Sequence, residues 1–378
     1  MGKLKQLRKS VTRHLINIPG WRTKRKIIVF ESDDWGAVRM SSEKMLSKLL
    51  ISGIQVQKCH YVQNDSLASE EDLIRLFGLL SRFKDSQGKS PIITANVIMT
   101  NPNFKKILES DFKEYHYEIF TETLEKYPEH KNSFDFWKKG VKEGLFHLQF
   151  HGREHIQVKR WMKFLKDSES DTRKAFEAGV FGLSTSVTSE KRKSYLASYD
   201  WDDDESRNFV LESIPEGLSL FKSLFGYQSL SAIAPNYVWH KDVEKVLKEN
   251  GVRYLQGSSV QKSPTLTNDG FKKNRHYTGQ KNNLGQIYLV RNCMFEPCSS
   301  PNEDWVSKCL HEIQTALFWN KPAIISIHRV NFIGFIKPTN RDTNLKRFER
   351  LLKEILRKWP DVEFMTSDQL GEMIENHE

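Results

Sequence analysis

The sequence predicts an α/β chain in which seven or eight β-then-α units close a parallel sheet into a distorted (β/α) barrel. Three observations carry this. Eight short runs, several rich in Ile and Val and apolar on consecutive positions, alternate with longer stretches of helical pattern, as strands covered on both faces require. No GxGxxG follows any run, so an open dinucleotide-binding sheet has no support. At 378 residues the chain has the size of one barrel, and no internal repeat or Pro-rich linker divides it.

In chain order the expected strands are 27–30 (IIVF), 92–99 (IITANVIM), 146–150 (FHLQF), 230–234 (LSAIA), 252–255 (VRYL), 287–290 (IYLV), 323–327 (AIISI) and 362–365 (VEFM). Helical periodicity places helices at 42–52, 70–83, 134–143, 171–181, 207–225, 241–250, 303–319 and 343–358. Two stretches break the rhythm and read as surface insertions, 182–206 and 257–285. The first carries Asp200-Trp201-Asp202-Asp203-Asp204-Glu205, which reads as the capped start of the next helix rather than a metal site. The expected organisation is an N-terminal segment, 1–22, followed by one barrel domain, 23–378.

Charge and composition narrow the function. The 43 aromatic residues argue against a mainly disordered chain. No apolar run reaches the ~18–20 residues that a membrane span needs. Four cysteines (Cys59, Cys293, Cys298, Cys309) without CxxC spacing are neither a disulfide framework nor a zinc knuckle, so a reducing compartment is expected. The net charge of +10 is concentrated at one end: residues 1–26 hold nine Lys/Arg and no acid, leaving 49 basic against 48 acidic residues elsewhere. Nucleic acid is therefore not the expected partner. Within that end Leu4, Leu7, Val11, Leu15 and Ile18 recur at helical spacing before Pro19-Gly20. They make either a helix packed on the body or a basic amphipathic helix resting on an anionic membrane surface.

Three strand ends carry chemistry. The first strand runs into Glu31-Ser32-Asp33-Asp34-Trp35-Gly36, the third into His151-Gly152-Arg153-Glu154-His155, and the seventh into Ile327-His328-Arg329. A DD pair, an HxxxH pair or a lone histidine is each weak evidence. In a parallel barrel, however, all three loops emerge at one rim, where a carboxylate with two histidines forms a divalent-metal set.

These motifs resemble the polysaccharide deacetylase (NodB-homology) family, whose fold is a distorted barrel also shared with glycoside hydrolases. Its first motif, an Asp-Asp turn after the first strand, is matched by Glu31-Ser32-Asp33-Asp34-Trp35; the resemblance makes Asp33 the catalytic base and Asp34 a metal ligand. Its His-Ser/Thr-x-x-His motif is matched by His151 and His155, with Gly152 at the hydroxyl position, implying two further ligands. Ala234-Pro235-Asn236-Tyr237 partly matches its groove-wall motif, and Ile325-Ser326-Ile327-His328 its Leu-x-His motif, which makes His328 the catalytic acid. Trp35 stands where the family has a small residue, and the Arg that orients the base is missing from the groove-wall motif; Arg39, Arg153, Arg291 and Arg329 are the alternatives. Trp35, Pro235, Tyr237, Arg291 and Glu296 are the expected substrate-facing residues.

The resemblance implies a metal-dependent hydrolase, with zinc as the expected ion, that removes an acyl group from a carbohydrate. The chain shows no secretory pattern, so a cytoplasmic location is expected, on the inner membrane face if residues 1–22 bind lipid. The substrate is then a nucleotide sugar or a lipid-linked glycan. Two rivals remain: a metallopeptidase reading His151–His155 as HxxEH, which requires those residues on a helix, and a non-catalytic carbohydrate- or membrane-binding protein.

Overall fold

The computed structural model describes residues 11–266 and 270–376. Its main sheet comprises β1 (Lys26–Trp35), β2 (Ile93–Ile98), β3 (Phe146–Gly152), β4 (Ser231–Ile233), β5 (Tyr254–Gly257), β6 (Ile287–Val290), β7 (Cys293–Met294), β8 (Ala323–His328) and β9 (Val362–Met365). Every pairing in it is parallel, in the order β6-β5-β4-β3-β2-β1-β8-β7. The sheet curls: its two edge strands, β6 and β7, are consecutive pieces of chain joined by Arg291-Asn292. β1 is the hub. It pairs with β8 along Ile28–Asp33, while β9 takes the opposite edge at Lys26–Val29 and β2 continues that edge from Phe30.

Side-chain alternation sorts each strand into two rows. One row (Ile28, Phe30, Ala95, Val97, Leu148, Phe150, Ile325, Ile327) packs into the large core shared with the helices. The other row faces the concave side and changes character along the strands. At their N-terminal ends it is apolar, with Ile27, Val29, Tyr254, Ile287, Leu289 and Ile324 packed around Leu370 and Ile374 of the last helix, Ser367–Glu375. Toward the C-terminal ends it becomes polar, with Glu31, Asp33, Asn96, Gln149, His151, Gln256, Arg291 and Ser326, all buried.

That last helix approaches the sheet closely. A Cβ at Gly371 would stand 2.5 Å from the Tyr254 ring. Gly371→Ala is therefore expected to destabilise the protein by about 1–3 kcal/mol, the usual scale of overpacking, measured as a lower urea midpoint.

The expected strands are all present, and β1 extends through Trp35. Other expectations need correction. The helix placed at 207–225 starts at Asp204, because Asp203 caps it by accepting from the Ser206 backbone N–H at 2.8 Å. The helix placed at 343–358 starts at Pro338, whose fixed φ suits a first turn. Residues 182–203 lack regular structure but are no surface insertion, since Tyr195, Tyr199 and Trp201 are buried and Asp200 and Asp202 hold Arg160. The 257–285 stretch carries an antiparallel ribbon, Val260–Pro264 with Phe271–Arg275.

All four cysteines are buried and unbridged. No helix among the described residues is long and apolar enough to cross a membrane. Residues 11–17 are helical, while Leu4 and Leu7 lie outside the described residues.

Candidate active site

Strict alternation along β1 would send Asp33 to the concave side and Asp34 to the helix layer. A local twist prevents that. Asp34 adopts φ 73°, Gly36 follows at φ 87°, and the ladder to β2 slips between Ser32 and Trp35. Asp is among the residues that tolerate the left-handed region, at about 1–3 kcal/mol where the fold enforces it. At Gly36 nothing larger fits, because a Cβ would lie 2.4 Å from the Ile98 carbonyl oxygen. Both consecutive carboxylates thereby turn toward the rim. The same twist carries Trp35 away from it, which corrects its expected substrate-facing role: the indole packs against Trp137 and Phe146 and donates to Ser32 Oγ at 2.9 Å.

Asp34, His151 and His155 converge. Asp34 Oδ1 lies 3.5 Å from His151 Nε2 and 3.1 Å from His155 Nε2, and the ligand atoms of this buried trio lie within 4.8 Å of one another. The His151 Nδ1–H donates to the Ile233 carbonyl at 2.9 Å, which turns Nε2 toward the Asp34 carboxylate. Burial, opposed by Asp34, pushes His155 down to about 4, so its imidazole is neutral at pH 7. His155 Nδ1 has no partner among the described residues, and one buried carboxylate converging with two imidazoles is a donor set that suits a divalent ion with open positions. The outer oxygen of Asp34 takes a 3.0 Å bond from Arg39 Nη2.

Asp33 stands outside that trio. Arg291 reaches it from the β6–β7 junction with two bonds, Nη1 to Oδ2 at 2.6 Å and Nη2 to Oδ1 at 2.7 Å. Asn96 Nδ2 donates to Oδ1 at 2.8 Å. Burial alone would raise the Asp33 carboxyl, but Arg291, helped by His151 and His328, outweighs it and holds it at about 2. Arg291 also binds Glu31 through Nε at 2.6 Å, and Ser367 Oγ donates to the far Glu31 oxygen at 2.8 Å. Of the four candidate arginines, Arg291 is thus the one that orients Asp33.

Across the site His328 Nε2 lies 3.9 Å from Asp33 Oδ2. Its Nδ1 is held by Glu296 Oε2 at 2.6 Å, and Asn331 Nδ2 fixes Glu296 Oε1 at 2.6 Å. Burial acts to lower the His328 pKa, yet Glu296, Asp33 and Asp34 together raise it to about 10. Glu296, expected to face substrate, instead points its carboxylate at His328.

The sequence matches no family model and no curated protein. Solved structures resemble it in chain path. A protein of Pseudomonas aeruginosa PAO1 described as a polysaccharide deacetylase has a TM-score of 0.47 at 9% identity, over 93% of this chain and 92% of that one. One of Mycobacterium smegmatis with the same description has a TM-score of 0.44 at 11% identity, over 95% and 93%. Puue allantoinase has a TM-score of 0.46 at 11% identity, over 96% and 95%. The likeness is one of fold.

The remaining expected residues divide. Tyr237 is half-buried at the rim, its hydroxyl 3.2 Å from Arg291 Nη1, and the buried Pro235 opens that turn. Arg153 turns away to Glu154 and Glu216. Glu154 is thereby occupied and His151 lies on a strand, so the helical HxxEH arrangement is absent. Arg329 is fully buried in a two-point pair with Asp65, at 3.1 and 3.0 Å. Asp65 also lies 4.0 Å from Arg39 Nε, so alternating charges run from Asp34 through Arg39 and Asp65 to Arg329.

Tyr61 and His60 also join the site. The Tyr61 ring meets His328 edge-on at 5.3 Å, Arg39 lies 5.8 Å from its centroid, and His60 packs on its other side at 4.1 Å. Nothing in the polar stretch around them marks these residues, and only the fold brings them to the rim.

Proposed function

We propose that this chain is a metal-dependent hydrolase that removes an acyl group, in the simplest case N-acetyl, from a carbohydrate. One observation carries the reading: an ionised, clamped carboxylate and a protonated histidine stand 3.9 Å apart beside a three-donor cation set. Asp34, His151 and His155 would hold the ion, and zinc suits two imidazoles with a carboxylate. Such an ion polarises an acyl carbonyl and acidifies water.

The chain's own groups supply the proton transfers. Asp33 is kept ionised and aimed by Arg291, and accepts a proton as the water oxygen bonds to the acyl carbon. His328 carries a proton throughout the neutral range and delivers it to the nitrogen as the C–N bond breaks, since an unprotonated amide nitrogen leaves poorly. The half-buried Tyr237 and Tyr61 flank the opening and offer ring surface to a sugar.

The proposed substrate is a precursor in the cytoplasm, either a nucleotide sugar or a lipid-linked glycan. The test is metal analysis of the purified protein beside a screen of N-acetylated sugars for released acetate. A protein that takes up no metal on reconstitution and releases no acyl group from any of them refutes the assignment.

Glu296→Gln tests the acid. Without the facing charge the His328 pKa falls, so the alkaline limb of kcat/KM is expected to move to lower pH while metal content stays the same. The sign is fixed by linkage. A histidine raised to about 10 contributes stability that is complete below its ordinary pKa near 6.5 and is lost as pH rises through 10. The variant should accordingly lose stability relative to the parent at pH 7 and little at pH 11.

A further inference from the structure

The N-terminal helix is mounted the opposite way from an ordinary surface helix. Its body-facing side is largely polar: Arg13 pairs with Glu312 at 2.7 Å, His14 Nδ1 accepts from Trp319 Nε1 at 3.0 Å, and Asn17 Oδ1 accepts from Asn292 at 2.8 Å. The apolar stripe points outward, with Val11 49%, Leu15 59% and Ile18 41% exposed. Phe318, in ring contact with His14 at 6.2 Å, is 70% exposed and widens the same face. Amphipathic helices bury the apolar side, so a stripe left outward on a polar-anchored helix indicates that something else covers it.

We infer that this face docks on an anionic phospholipid bilayer. Val11 and Leu15 stand one turn apart on the helix and Ile18 follows just past its end, an exposed apolar edge of the kind that rests in a headgroup boundary. Leu4 and Leu7 continue its spacing in the sequence, which holds nine Lys/Arg and no acidic residue before Glu31. A second copy is a poor occupant, because two such faces would bring like charges together. An acidic protein would satisfy the charge, but the edge offers it no groove. The inference is independent of the hydrolase assignment, since it concerns where the protein sits rather than what it cleaves.

The test is co-sedimentation of the full chain with phosphatidylglycerol/phosphatidylcholine vesicles. Binding is expected at ~0.05 M salt, falling at least ~10-fold at ~0.5 M, where the Debye length shrinks to a few ångströms, and absent on pure phosphatidylcholine. Leu15→Glu should abolish binding, with circular dichroism and melting temperature unchanged because the side chain is exposed. Phe318→Ser serves as the second variant and should weaken binding in the same way. Failure of the parent to bind, or salt-sensitive binding indifferent to both substitutions, overturns the proposal. So does a dimer that Leu15→Glu dissociates in the absence of vesicle binding, which would assign the face to a second copy.

Discussion

Under the proposed function, Asp33→Asn protein should take up a divalent metal as the parent does and hydrolyse an acyl substrate ~10²–10⁴-fold more slowly, the range that acid–base catalysis supplies. The expectation of normal loading follows from geometry. Neither Asp33 oxygen belongs to the converging trio; both accept from Arg291, and one also from Asn96. Asparagine keeps an oxygen for one of these donors but cannot accept a proton from water. Metal content by elemental analysis and kcat on the same sample decide the matter. An Asp33→Asn protein that is empty of metal would reverse the roles of the two neighbouring carboxylates.

His155→Ala is expected to fail in the opposite way, losing metal and activity together. It removes one of three donor atoms, a larger lesion than the ~10–100-fold affinity cost of losing an outer partner. It also leaves the Asp34 carboxylate with Arg39 as its remaining cation. The comparison with His328→Ala is the informative one. His328 lies on the Asp33 side, engaged with Glu296, so its loss should slow turnover while leaving metal in place. Equal metal loss in the two variants would place His328 among the ligands.

The ends of β1, β3 and β8 were legible in the sequence because parallel strands put their C-terminal ends at one rim, whatever lies between them. The rest is hidden where an interaction is long-range or the backbone departs from the ideal. Arg291 is 258 residues from Asp33, and no local pattern says which of four arginines reaches it. Trp35 follows the Asp pair in the motif, yet the left-handed φ at Asp34 and the slip beside it turn its indole into the core, which no motif spacing reveals. The rim position of its loop makes Glu296 look substrate-facing, and only the fold reveals its partner His328, 32 residues on. The helix Val158–Leu165 did leave a signal, since Val158, Trp161, Met162 and Leu165 share one apolar face, but it follows the histidine loop too closely to have stood out.

The position of β1 as hub of the sheet has a consequence for synthesis. Its partners β8 and β9 lie roughly three hundred residues downstream, so these pairings carry very high contact order. While the chain is being made, the Ile27-Ile28-Val29 end of this strand must wait for residues 323–328 and 362–365, as must Glu31 for Ser367. Unpaired strand edges of this kind template aggregation. A chain halted after residue 300 should therefore accumulate as a chaperone client or in inclusion bodies, and the site around Glu31 and Asp33 can form only once Ser367 has been made.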